Sequence, residues 1–329
     1  MHKVQQVLRF HGACRPFFRR SVYIRRITDQ ATHTDFEIFG DRLKIFRSVD
    51  SFVVYRNSLF LSEPTKTVGF VPTMGALHVG HKSLYDCART ENDILIGSIF
   101  VNPTQFGPNE DLDRYPRTPM ADCELLAAAG VDAVFMPTPA DMYGPHHRTW
   151  VVPGGFDHLP EAADRPGHFR GVATVVAQLL NLARPHRSYF GQKDALQCAV
   201  LRRIAADLRL PGEIVVRPTV READGLALSS RNAYLTGPGE REAATVLYKA
   251  LLAVQEKRES SGTPVVKSAE LKHVGMKILK AEPLISSIQY LSIGSKETME
   301  EIEEVGEDGA VVSLAVKLGS VRLIDNIVL

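Results

Sequence analysis

Five short apolar runs recur between stretches of helical periodicity, and that alternation restricts the fold more than any other feature of the chain. The runs are TVGFV (67–71), ILIGSIFV (94–101), 131–136, 188–191 and EIVVR (213–217). Between them lie helical patterns near 81–89, 121–129, 171–183 and 193–208. The third stops at Pro185, whose ring cannot continue a helix. Strands that are apolar throughout must be covered on both faces, so the pattern predicts a parallel sheet between layers of helices. This is an α/β arrangement, Rossmann-like in the broad sense, over residues 41–219. Beyond Asp224-Gly225 the pattern changes. Leu247, Ala250, Leu251 and Val254 repeat at i, i+3, i+4 and i+7, and strand candidates follow at 288–293, 310–318 and 321–324. Residues 220–329 read as a smaller α+β domain.

Charge is unevenly distributed. Residues 1–28 carry seven basic side chains and no acid, and removing those seven from the 39 basic residues leaves 32 against 38 acidic ones. The body is mildly acidic, which is not a nucleic-acid footprint. The Arg-rich start has the composition of an organelle import segment, which would put the protein in the mitochondrion. The alternatives are an extension without an address and a cytoplasmic protein. Either way, residues 1–40 are expected to lie outside the fold. No run of 18 uncharged apolar residues occurs, so no membrane-spanning helix is expected. Cys14, Cys87, Cys123 and Cys198 are scattered without metal or disulfide spacing, as suits reduced thiols.

Two motifs carry chemistry. Pro72-Thr-Met-Gly-Ala-Leu-His-Val-Gly-His81 follows the first strand and opens a helix, whose free N–H groups favour an anion. His78 and His81 stand three apart at that entrance and can reach the same group. A Walker loop would need Lys directly after Gly80, where His81 intervenes. A metal pair and a purely structural turn remain as other readings. The second motif, Ser229-Ser-Arg-Asn232, offers two hydroxyls and a guanidinium on a loop, which suits polyphosphate or a capped turn.

Together these motifs are similar to the paired signatures of nucleotidyltransferases and class I aminoacyl-tRNA synthetases. More specifically, from about Leu43 to its end the chain resembles the pantoate–β-alanine ligase (pantothenate synthetase) family. The resemblance rests on GFVPTMGALHVGH (69–81), SIFVNPTQF (98–106), YPRT (115–118), RPGHFRGVATVV (165–176), YFGQKD (189–194), PTVREADGLALSSRNAYL (218–235) and RLIDN (322–326). It implies a homodimeric enzyme that uses ATP and Mg²⁺ to turn pantoate into pantoyl adenylate and pyrophosphate. β-Alanine then displaces AMP.

By the same resemblance, His78, His81, Lys193, Ser229, Ser230 and Arg231 are catalytic. ATP would lie along Met74, Gly75, Ala76, Leu77, Val79 and Gly80 as well, and against Gly191, Gln192, Asp194, Val220 and Leu228. Gln105, Gln197 and Asn102 would hold pantoate or β-alanine. Asp122 would either assist Mg²⁺ through water or simply complement a helix dipole. Residues 107–121 would form a flap. The chain departs from the usual pattern at Val79 (commonly Glu), Leu196 (commonly the first of two glutamines), Leu228 (commonly Met) and Ala121 (often acidic). Two other functions stay in view: a nucleotidyltransferase that stops at the adenylylated product, and a silent nucleotide-binding protein.

Overall fold

A computed structural model of the chain describes residues 24–29, 34–108 and 110–329. The expected import segment falls mostly outside them, over residues 1–23. Eight strands form one sheet: β1 (Ile24–Asp29), β2 (Thr34–Phe39), β3 (Leu43–Phe46), β4 (Val68–Thr73), β5 (Ile94–Ile99), β6 (Ala133–Phe135), β7 (Arg187–Gly191) and β8 (Glu213–Arg217). Their spatial order is β1-β2-β3-β6-β5-β4-β7-β8. The last six in that order run parallel, and β1-β2-β3 is an antiparallel meander on one edge.

Seven helices accompany this sheet: α1 (Val49–Ser62), α2 (Val79–Glu91), α3 (Pro119–Ala128), α4 (Pro139–Met142), α5 (Pro160–Asp164), α6 (His168–Ala183) and α7 (Ala195–Asp207). Strand pleating sends successive side chains to opposite faces. Phe70 and Ile96 therefore join Phe52 of α1, Val176 of α6 and Val200 of α7 in one core layer. Val71 and Leu95 join Leu84 and Tyr85 of α2 and Leu126 of α3 in the other. The expected two-faced parallel sheet is the observed one.

The chain runs from β4 outward through β5 to β6, then returns across the sheet to β7 on the opposite side of β4. Helices therefore leave the carboxyl ends of β4 and β7 toward opposite faces. A crevice opens between the two, where ligands bind in sheets of this kind.

A second core lies in the carboxyl-terminal part. It packs α8 (Glu240–Ala243), α9 (Val246–Ser260) and α10 (Ser268–Ala281) on an antiparallel sheet of β10 (Ile285–Gly294), β12 (Val311–Leu318) and β13 (Val321–Val328). The short strands β9 (Val266–Lys267) and β11 (Glu304–Val305) pair beside it. This is the smaller α+β unit that the sequence suggested.

Of the elements that lie beyond the sequence reading, three bear on this sheet. Four-residue β3 is too short to show a period, and α1 shows no apolar stripe. The start of α1 is fixed by Ser48, whose Oγ accepts from the Ser51 N–H at 3.2 Å. The third is the β1–β2 hairpin, which corrects the expectation that residues 1–40 stand outside the fold. Phe39 is buried at 3% exposure, and Phe36 packs on Phe46 with ring centroids 5.7 Å apart. A polar, basic stretch conceals this because β1 is an edge strand whose burial comes from its neighbour. A chain starting at residue 41 should be less stable than one starting at 24 by about 2 kcal/mol or more, the value of burying one Phe. Equal melting temperatures for the two would remove the hairpin from the fold.

Candidate active site

The loop after β4 is forced into an unusual shape. Gly75 and Ala76 are both left-handed, at φ 84° and 50°, and a non-glycine residue holds that conformation only when its surroundings compel it. Asp122 of α3 does the compelling. Its carboxylate accepts from the Ala76 N–H (3.1 Å), the Leu77 N–H (2.8 Å) and the Thr118 hydroxyl (3.0 Å), at 2% exposure. Asp122 is thus a brace for the loop, with two donors on Oδ1 and one on Oδ2. Among the described residues no cluster of three His, Cys, Asp or Glu side chains could hold a metal ion.

The braced loop delivers His78 as the N-cap of α2. His78 Nδ1 accepts from the Gly80 N–H at 3.1 Å, and His81 Nδ1 accepts from the His78 N–H at 3.4 Å. With both Nδ1 atoms accepting, a neutral ring carries its proton on Nε2. The rings lie 4.1 Å apart and both line the crevice beside β4. Burial, reinforced by the neighbouring His78, pushes His81 down to about 3. Burial and then the Lys193 charge lower His78 as well. Each is therefore an uncharged hydrogen-bond donor near neutral pH.

From the β7 side come Gly191, Lys193, Asp194 and, on α7, Gln197. The Lys193 ammonium lies 3.7 Å from the Asp194 carboxylate. Val220 and Leu228 are brought side by side because the Leu228 N–H bonds the Val220 carbonyl at 3.0 Å, closing a hairpin over Asp224-Gly225. Ser229 caps the 3-10 turn Ser230–Tyr234, and Ser229, Ser230 and Arg231 complete this wall. Arg231 forms a two-pronged pair with Asp111 of the expected flap, at 3.2 and 3.0 Å. Neighbouring Glu110 is gripped in the same way by Arg165, at 2.8 and 2.7 Å.

The opposite end of the crevice is smaller and partly apolar. Val172, Val175, Val176 and Leu179 of α6 line it with Phe100. Gly171 lets the Thr104–Gln105 turn touch α6, since a Cβ there would stand 2.4 Å from the Thr104 carbonyl oxygen. Asn102 is buried at 1% exposure. Its Oδ1 accepts from Tyr143 Oη (2.8 Å) and Thr104 Oγ1 (2.9 Å), so its amide nitrogen must face the other way. That nitrogen donates to Gln105 Oε1 (3.0 Å) and the Gly171 carbonyl (3.2 Å). Gln105 is left presenting its N–H₂ toward the crevice, 3.2 Å from Met74 Sδ. Asn102, expected as a contact, lines the crevice and also orients Gln105.

Met74, Gly80, His78, His81, Gln105, Gln197 and the Lys193 and Arg231 walls are thus brought together around one crevice of ≈ 240 Å³. Gly75, Ala76 and Leu77 shape the loop without lining it. Val79 is exposed, at 66%, and Gln192 turns away toward Asn326. The sequence motifs gave no role to His168 or Arg165. Arg165 donates to His168 Nε2 at 2.9 Å, so Nδ1 must carry the ring proton that meets the Gln105 carbonyl at 2.7 Å. Burial and then Arg165 push His168 down to about 4. The block RPGHFRG (165–171) was the available signal.

A crevice at the switch point of a parallel sheet, with neutral imidazole donors at a helix N-terminus facing Lys193 and Arg231, defines an anion-handling α/β enzyme of the nucleotide-binding kind. Comparison narrows this. Residues 44–328 match the family described as pantoate-beta-alanine ligase. A pantothenate synthetase of Chloroflexus aggregans is 53% identical over 260 residues, spanning 79% of this chain and 92% of that protein. The crystal structure of a pantothenate synthetase from Thermus thermophilus superposes with a TM-score of 0.79 at 45% identity, covering 86% of this chain and 98% of that one. A pantoate-beta-alanine ligase from Francisella tularensis, complexed with beta-gamma ATP and beta-alanine, aligns with a TM-score of 0.69 at 35% identity over 86% of this chain and 97% of that one. The chain belongs to the pantoate-beta-alanine ligase family.

Because His81 and His168 are neutral when folded, the unfolded chain takes up protons below its ordinary imidazole value of 6.5 that the native state refuses. Their contribution to stability is complete above pH 6.5 and is lost as the pH falls toward about 3 for His81 and about 4 for His168. Long-range ¹H–¹⁵N spectra at pH 5, assigned through His81→Asn and His168→Asn, should keep the neutral-imidazole pattern for both rings. A protonated ring at that pH would defeat this account of the crevice.

Proposed function

We propose that this chain joins pantoate to β-alanine to give pantothenate, converting ATP to AMP and pyrophosphate through an enzyme-bound pantoyl adenylate. One observation carries the reading: a phosphate-type wall and an acid-type pocket share a single crevice. The first consists of the α2 N-terminus, His78, His81, Lys193 and Ser229-Ser230-Arg231. The second consists of Gln105, Gln197 and the valines of α6.

In the first step a pantoate carboxylate oxygen bonds to the α-phosphorus of ATP and the bond to pyrophosphate breaks. A carboxylate needs no base to attack, and pyrophosphate needs no acid to leave. Neutral N–H donors therefore suffice at His78 and His81, which would stabilise charge as it moves across the phosphates. Lys193 and Arg231 would hold the β- and γ-phosphates, with Ser229 and Ser230 as donors beside them. Gln105 would give N–H bonds to a pantoate oxygen, Gln197 would hold another, and the α6 valines would cover its methyl groups. In the second step the free amine of β-alanine bonds to the acyl carbon, the acyl carbon–oxygen bond to AMP breaks, and the amine gives up a proton to solvent as AMP leaves. Val220, Leu228 and Met74 would flank the nucleotide.

Among the described residues none form a three-ligand cage for Mg²⁺, and Asp122 already accepts three hydrogen bonds. The ion would ride on the polyphosphate with its own waters, where it neutralises charge.

The first test follows pyrophosphate and AMP with ATP, Mg²⁺ and pantoate, with and without β-alanine. Sustained AMP release that requires both organic substrates, with pantothenate formed, is the expected result. Pyrophosphate that stops near one equivalent despite β-alanine would contradict the second step. Under the same conditions His81→Ala should slow pyrophosphate release by about 10²–10³, as loss of one transition-state donor does elsewhere; an unchanged rate would take His81 out of the mechanism.

Asp111 occupies the guanidinium that the phosphates would need. Burial pushes its carboxyl up, but Arg231 outweighs that and holds it below the usual range. Asp111→Asn should therefore lower the KM for ATP by up to about fivefold, the scale of one partly exposed ion pair. A raised KM would mean that the flap carboxylate aids ATP binding.

A further inference from the structure

The block RLIDN (322–326) has no place in the site described above, although it lies near the carboxyl end of the chain and far from every motif. In the structure it reaches back to the crevice. Asn326 sits on β13, the outer strand of its three-stranded sheet, at 3% exposure. Its amide nitrogen donates to two successive carbonyls, Gln192 (2.9 Å) and Lys193 (2.8 Å). Its amide oxygen accepts from Gln192 Nε2 at 3.1 Å. Both donors and the acceptor oxygen of this buried amide are thus directed at the turn that bears Lys193. The preceding Asp325 grips the neighbouring loop, taking Arg221 at 2.6 and 2.9 Å, and also accepts from the Asn326 N–H at 2.8 Å. The Gln192 N–H joins the two loops through the Arg217 carbonyl at 2.8 Å.

We infer that Asn326 is a positioning residue for Lys193, through which the carboxyl-terminal unit sets the phosphate-handling side of the crevice. The physical reason lies in the backbone. Two adjacent peptide groups that point their carbonyls the same way, out of any ladder, turn toward other donors unless both are held. A rotation of either plane swings the Cα–Cβ direction of Lys193 and carries its ammonium off the crevice. Asn supplies two N–H groups on one atom, which is what two successive carbonyls require. Asp has the same shape without those donors.

The inference rests on the role proposed for Lys193, and the test separates the two. Single-turnover pyrophosphate release from ATP, Mg²⁺ and pantoate is followed for the full-length wild type, Asn326→Ala, Lys193→Ala and the double variant. Asn326→Ala is expected to slow release by about tenfold or more, since small misplacements of a catalytic group cost that much or greater. The KM for pantoate should stay within about twofold, because Gln105 and Gln197 are untouched. In the Lys193→Ala background the same substitution should cost less than about twofold, because residues that act as one unit are not additive.

An equal tenfold loss in both backgrounds would make Asn326 merely structural and overturn the inference, as would an Asn326→Ala enzyme at full speed. Should the alanine variant fail to melt cooperatively, Asn326→Asp carries the same cycle, and full speed there overturns the inference equally. Absence of pyrophosphate from the wild type, or a fully active Lys193→Ala, would instead defeat the proposed function.

Discussion

Two neighbouring strands whose connections leave toward opposite faces cannot have the gap between their carboxyl ends covered by either helix. In this chain the two strands are β4 and β7, and the loops that follow them carry the phosphate-type imidazoles and Lys193. The β4 loop brings the imidazoles and a helix N-terminus, and the β7 loop brings Lys193 and, through α7, Gln197. Hydrophobic burial on both faces holds the strands parallel and so keeps the gap open.

The crevice is kept in shape by buried polar groups, of which Asn102 and His168 also line it. Asp122 spends its carboxylate on a left-handed loop, Asn102 turns Gln105 so that its N–H₂ faces inward, and His168 holds the Gln105 carbonyl. Each is buried and held by several partners, which fixes one geometry at the cost of desolvation. The segment bearing Glu110 and Asp111 is tied to the crevice wall by Arg165 and Arg231.

Burial also decides what kind of chemistry the imidazoles can do. Rings whose protonation is suppressed, and whose Nδ1 atoms are occupied by backbone N–H groups, present Nε2–H to the crevice as donors. In the reaction proposed above, attack by a carboxylate on phosphorus transfers no proton, so a pair of fixed neutral donors suits it better than a proton shuttle would.

Much of this was legible in the sequence. Apolar strands between helical periods specify a covered parallel sheet, and His78 and His81 stand in a turn that opens a helix, while Lys193, Ser229, Arg231, Gln105 and Gln197 stand in blocks that resemble the ligase family. Sequence determined the first two because period and turn chemistry are local properties, and the last through likeness of whole blocks. Tertiary structure decided the rest. It added the β1–β2 hairpin to the sheet, assigned Asp122 to a loop 45 residues away, bonded Asn102 to Gln105, and set Asn326 against a turn 133 residues upstream. A carboxylate or an amide has the same name in a chain whether it meets a metal, a substrate or a backbone N–H. Which of these it meets depends on hydrogen-bond partners that only the packed fold brings within 3 Å.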